Sequence, residues 1–190
     1  MPHMMVNGAR LYYEEHGGGP QTVIFAHGLL WSGQMFAQQV DVFKQRYRCI
    51  TFDWRGQGRS EVTRAGYDME SLYADTLALL DTLGIKACHF VGLSMGGFIG
   101  MRLAARRPDI VRSLILLGTS ADPEPAANVP KYRMLNLIGR WLGFRLVAGQ
   151  VMPIMFGQKF LADPTRARLR EETTNWRRYS RAVDAVLQGA

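Results

Sequence analysis

A serine lies between two glycines at Gly92-Leu93-Ser94-Met95-Gly96, behind the apolar run His89-Phe90-Val91 and ahead of a segment with helical spacing. A serine on a sharp strand-to-helix turn presents its hydroxyl at the tip of the turn, where it can attack an acyl carbon. The flanking glycines have a steric reason, because side chains at positions 92 and 96 would collide across so tight a turn. The helix that follows begins with free backbone N–H groups and the positive end of its dipole, both suited to a carbonyl oxygen gaining negative charge. A glycine-rich turn with a solvent-facing serine is the plainer reading of the same five residues. The correct flanking strand and helix favour the chemistry.

Two other segments carry signals. His27-Gly28-Leu29-Leu30-Trp31 directly follows the apolar run Thr22-Val23-Ile24-Phe25-Ala26, and Asp53-Trp54-Arg55-Gly56-Gln57-Gly58-Arg59-Ser60 directly follows Phe52. Taken in order with the serine turn, they resemble the motifs of the α/β-hydrolase superfamily, over about residues 20 to 120. Gly92 to Ala105 most resembles its esterase, enol-lactonase and cofactor-free haloperoxidase branch. The resemblance implies that Ser94 is the nucleophile and that the Leu29 and Met95 N–H groups form the oxyanion hole. It also implies that His27 shapes its loop rather than acting as the base, and that Asp53 is structural.

Such a site needs elements to hold it. Arg10 to Glu15, Thr22 to Ala26, Arg48 to Phe52, His89 to Val91 and Ser113 to Leu117 read as strands. Met35 to Gln45, Asp68 to Leu83 and Met95 to Arg107 read as helices, with Gly84 and Pro108 as stops. Continuous apolar strands joined by helical crossovers predict an α/β fold, a mainly parallel sheet with helices on both faces. Residues 1–121 are expected to form this core and residues 122–190 a helical lid that is basic, rich in Met and aromatic residues, and lines an acyl pocket. Met1 to Met5 carry no functional weight in this reading.

Composition excludes several classes. The net charge of +7 comes wholly from residues 131–190, with 11 Lys/Arg against 4 Asp/Glu, since residues 1–130 hold 12 of each. Arg166, Arg168 and Arg170 alternate with apolar and acidic neighbours, which suits a solvated helix face better than a nucleic-acid site. No apolar run is long enough to span a membrane, and no secretory leader pattern is present at the N-terminus. Cys49 and Cys88 sit in apolar runs and read as buried reduced thiols with no metal or disulfide spacing, consistent with a cytoplasmic location. No cofactor and no metal enter the reading.

The family's triad order is nucleophile, acid, histidine. Here His3, His16, His27 and His89 all precede Ser94. The family's last two strands, which supply the acid and the histidine, also lack a counterpart. Asp122 follows the sixth strand, where some members place the acid, although a loop-capping carboxylate reads more simply. The expectation is therefore a serine hydrolase of carboxylic esters or lactones that acts through an acyl-enzyme on Ser94 and is inactive or weak as this 190-residue chain. The alternatives are a non-catalytic ligand-binding or regulatory protein, or a haloperoxidase or C–C bond hydrolase on the same scaffold. The strand Ser113 to Leu117, left as an apolar edge, is expected to self-associate or to receive a further C-terminal segment.

Overall fold

Six strands, β1 (His3–Val6), β2 (Ala9–His16), β3 (Thr22–Ala26), β4 (Arg48–Phe52), β5 (Cys88–Leu93) and β6 (Val111–Leu117), form one sheet in a computed structural model of the chain. Residues 3–122, 126–128, 130 and 134 are described. The sheet order is β1-β2-β4-β3-β5-β6. The β1–β2 and β2–β4 pairs are antiparallel, and the β4–β3, β3–β5 and β5–β6 pairs are parallel. His3–Val6, not read as a strand from the sequence, pairs as β1 with β2 in a hairpin closed by Asn7 and Gly8, both at positive φ.

All five residues of β3 are buried, as a central parallel strand requires. Val23 and Phe25 face the side covered by a 3-10 turn at Gly33–Phe36 and helix α1 (Ala37–Phe43), against Phe36 and Val40. Ile24 and Ala26 face the other side, against Leu72, Leu79 and Leu80 of α2 (Met69–Thr82) and Ile99 and Leu103 of α3 (Met95–Arg106). Each fully buried aliphatic or aromatic side chain contributes roughly 1.5–3 kcal/mol, so this alternation fixes which way β3 faces. Helix α2 is bounded as its sequence requires. The Asp68 carboxylate accepts the Glu70 and Ser71 N–H groups, and Gly84 at φ 66° turns the chain away. Cys49 and Cys88 are buried free thiols, and burial pushes Cys88 up to about 12.

The chain divides into two compact units, Met1–Asp122 and Pro123–Ala190. The expected lid lies outside the described residues except for Asp122, a 3-10 turn at Ala126–Asn128, and the single positions 130 and 134. Strand β6 is an edge of the sheet among the described residues, with Ile115, Leu116 and Leu117 exposed. No helix among the described residues is long and apolar enough to cross a membrane.

A buried ion pair that the sequence did not reveal ties the first unit together. Asp75, counted among no apolar face, is fully buried on α2, where it receives the Arg55 guanidinium through Nε at 2.6 Å and through Nη2. The same guanidinium donates to the carbonyls of Asn7 (3.1 Å) and Ala65 (3.2 Å), and Asn7 Nδ2 donates to Asp75 at 2.9 Å. The Asp75 carboxylate holds the Arg55 guanidinium above its ordinary range. Removing one partner leaves the other charged and unpaired in the interior, at a cost of about 3–5 kcal/mol. Asp75→Ala is accordingly expected to lower the unfolding free energy by that amount, read from the urea midpoint at constant m. A loss within 1 kcal/mol would show that the pair is dispensable.

Candidate functional site

Strand β5 delivers Ser94 to the start of α3 with its backbone at φ 48°, ψ −112°, a region that non-glycine residues rarely adopt. Its N–H donates to the Leu117 carbonyl at 2.9 Å, and its own carbonyl accepts from Gly97 (2.8 Å) and Phe98 (3.1 Å). No hydrogen bond among the described residues engages the Ser94 hydroxyl. The flanking glycines answer to two different neighbours. A Cβ on Gly92 would strike the Gly96 carbonyl across the turn, as the sequence suggested, whereas one on Gly96 would strike the Ala26 carbonyl at the end of β3. The glycine at 96 thus lets α3 approach the central strand.

The loop after β3 returns to the same turn. A Cβ placed on Gly28 would lie 2.9 Å from Leu93 Cδ2 and 3.4 Å from Ser94 Cβ, so the His27-Gly28 segment abuts the serine. Leu29 is half-exposed beside it, and Met95, the first residue of α3, is buried. The Met95 N–H stands at the helix start, where the helix itself offers no acceptor.

His27 organises this loop. Its ring is fully buried, with Nδ1 2.7 Å from the Gly28 carbonyl and Nε2 3.2 Å from the Trp54 backbone N–H. A carbonyl can only accept and an amide can only donate, so the ring is the neutral tautomer with its proton on Nδ1. Trp54 Nε1–H closes the circuit on the His27 carbonyl at 2.8 Å. Because peptides here are trans, the Gly28 carbonyl and the Leu29 N–H lie in one plane and point in opposite directions. Fixing the carbonyl therefore fixes the amide.

Asp53 behaves as the structural residue that the motif implied. Its carboxylate accepts the N–H groups of Gly33 (2.6 Å) and Arg59 (2.8 Å), joining the two loops. Burial pushes this carboxyl up against the pull of both amides. The remaining histidines are engaged elsewhere: His89 with Ser113 and Gln21, His16 with Glu14, and His3 with the Arg59 carbonyl. His89 is the second residue of β5, which ends at Leu93 just before Ser94, and is separated from it by several residues at about 3.3 Å each. None of the four bonds to Ser94. Asp122 bonds with Ser120 in its own loop. Among the described residues no cluster of three His, Cys, Asp or Glu side chains could hold a metal ion.

A mainly parallel sheet, a strained serine between β5 and α3, and a His-Gly loop against it are the architecture of an α/β hydrolase. A model of the alpha/beta hydrolase fold matches residues 21–185, and the chain belongs to that family. Among curated proteins it is 34% identical over 119 residues to a putative carbamate hydrolase, RutD, of Stutzerimonas stutzeri, covering 60% of this chain and 45% of that protein. It is 40% identical over 111 residues to a putative non-heme bromoperoxidase, BpoC, of Mycobacterium tuberculosis, covering 57% of this chain and 42% of that protein. The chain thus spans about half the length of the curated relatives it matches. Among solved structures, an enol-lactonase from Burkholderia xenovorans superposes with a TM-score of 0.80 at 29% identity, over 97% of this chain and 72% of that one.

The buried imidazole makes stability depend on pH. Burial lowers His27 from 6.5 to about 4. The unfolded chain therefore binds a proton between pH 6.5 and 4 that the folded chain refuses, and stability falls as pH falls through this window. The full difference approaches about 3 kcal/mol. Asp53, with its carboxyl raised, opposes this trend. In His27→Asn, whose amide nitrogen can stand in for Nδ1, the pH dependence of unfolding between 6.5 and 4 should flatten by up to one proton. An unchanged slope would assign the linkage to other groups.

Proposed function

We propose that the chain carries the nucleophile and oxyanion hole of a serine hydrolase acting on carboxylic esters or lactones. Ser94 Oγ adds to the acyl carbon, and its proton passes to a base. The carbonyl oxygen, now negative, accepts from the Leu29 and Met95 N–H groups. Collapse breaks the bond to the alcohol oxygen, which leaves with a proton, and water then adds to the acyl-enzyme to release the acid and restore Ser94. The observation that carries this reading is the positive-φ Ser94 with the Gly28 loop in contact beside it. The names of the carbamate hydrolase and enol-lactonase relatives support attack at an acyl carbon bearing a heteroatom leaving group.

A serine hydroxyl needs a base, typically worth a factor of about 10²–10⁴. None of this chain's histidines is placed to serve, so the reading puts the base in a part of the functional protein beyond these 190 residues. The same observation favours a second reading, a ligand-binding protein that keeps the fold without turnover.

A fluorophosphonate probe separates the two. Covalent mass on Ser94, lost in Ser94→Ala, is expected in a chain extended to the length of its relatives, together with ester turnover that the 190-residue chain lacks. Silence of the extended chain would favour the binding protein, and Ser94-dependent turnover at ordinary enzyme rates by the short chain would show that the base lies within it. The exposed β6 edge supports association of the 190-residue chain with a second copy of itself. Light scattering should give a mass above the 21.4 kDa monomer, and a clean monomer at micromolar concentration would refute that association.

A further inference from the structure

His27 fixes the peptide that carries the Leu29 N–H, but the next peptide is held from a different loop. Leu30 adopts φ 65°, a left-handed conformation costly for a branched side chain. Its N–H donates to Gln57 Oε1 at 2.7 Å, and Gln57 is only 9% exposed. The amide donor identifies the facing Gln57 atom as oxygen. Gln57 is itself rigidly mounted, since its N–H donates to the Trp54 carbonyl (2.9 Å) and its carbonyl accepts from Ser60 (3.0 Å). The Asp53 and Trp54 contacts described above anchor that loop in turn.

We propose that Gln57 is a positioning residue for the oxyanion hole: by holding the Leu29–Leu30 peptide it fixes the Leu29 Cα, the far end of the peptide whose N–H would face the oxyanion, so that the His27 clamp at the near end does not act alone. The inference rests on the reading of Leu29 as an oxyanion donor. Two successive peptides are then clamped by two side chains, His27 behind Leu29 and Gln57 ahead of it, so neither can flip alone. Without the Gln57 oxygen, a part-buried N–H loses its acceptor and the left-handed Leu30 loses its anchor. Rotation of the Leu29–Leu30 peptide then becomes accessible. Losing one oxyanion donor typically slows the chemical step about 10²–10³-fold, and a donor that is misdirected part of the time loses less.

The test compares Gln57→Met, similar in size but without the oxygen acceptor, with Gln57→Glu, which keeps an acceptor in either protonation state. Fluorophosphonate modification of Ser94, in the chain extended to the length of its relatives, is followed as a maximal rate and a half-saturating concentration. Amide hydrogen exchange at Leu30 and the thermal midpoint are measured on the same samples. Gln57→Met should lower the maximal rate about 10–100-fold, leave half-saturation within about 3-fold, and deprotect the Leu30 amide, with Gln57→Glu close to wild type in all three. Wild-type labelling kinetics in Gln57→Met, or equal losses in both variants with a collapsed thermal midpoint, would overturn the proposal. If wild type itself is never labelled, the hydrolase reading fails separately. The clamp is then judged on Leu30 exchange alone, and equal protection in wild type and Gln57→Met overturns it.

Discussion

Ser94 occupies a backbone conformation that costs a non-glycine residue about 1–3 kcal/mol, and the surrounding sheet leaves it no other. Its N–H is tied to Leu117 on β6, its carbonyl to the first turn of α3, and the glycines at 92 and 96 admit the Gly96 and Ala26 carbonyls. Relaxing Ser94 would mean pulling α3 from β3 or separating β5 from β6. Both moves expose the buried face shared by Ile24, Phe90, Ile99 and Leu103. The strain at one residue is thus held by the hydrophobic burial of an entire layer.

The second half of the site is built from polar contacts rather than apolar ones. His27, Asp53, Trp54 and Gln57 are all buried, and each spends its hydrogen-bonding capacity on backbone of the loops after β3 and β4. Low dielectric strengthens such a network when every member is satisfied and punishes any that is not. An oxyanion hole benefits because its donors must already point correctly before charge develops.

Much of this was legible from residues. Asp68, Gly84 and the apolar spacing between them marked α2 to within a residue, because caps and periodicity are local signals. The three glycine-bearing loops showed themselves because close approach leaves few residue types available. The mainly parallel sheet followed from the unbroken apolar runs at β3 and β4. What stayed hidden depends on partners distant in sequence. His3–Val6 has little strand character of its own and pairs because the Asn7-Gly8 turn folds it onto β2. Asp75 looks like a polar helix residue until Arg55, from another loop, meets it. Gln57 looks like an ordinary polar loop residue between two glycines, and its side chain acquires a role through the left-handed Leu30, 27 residues earlier in sequence. The Leu29 and Met95 assignments came from resemblance, with Gly28 beside Ser94 as their geometric support.

The order β4-β3-β5 has a kinetic consequence. Strand β3 is made before either of its neighbours, and its pairing of Thr22 with Cys88 waits for the whole of α1, β4 and α2 to emerge. The most apolar strand of the sheet therefore spends the longest interval of synthesis without its final partners. Sheets dominated by such distant pairings fold slowly, because the entropy of closing long loops is lost before contacts repay it. Until β5 arrives, Thr22–Ala26 can pair with β4 on one edge only, and its other edge stays open to association with other chains during synthesis.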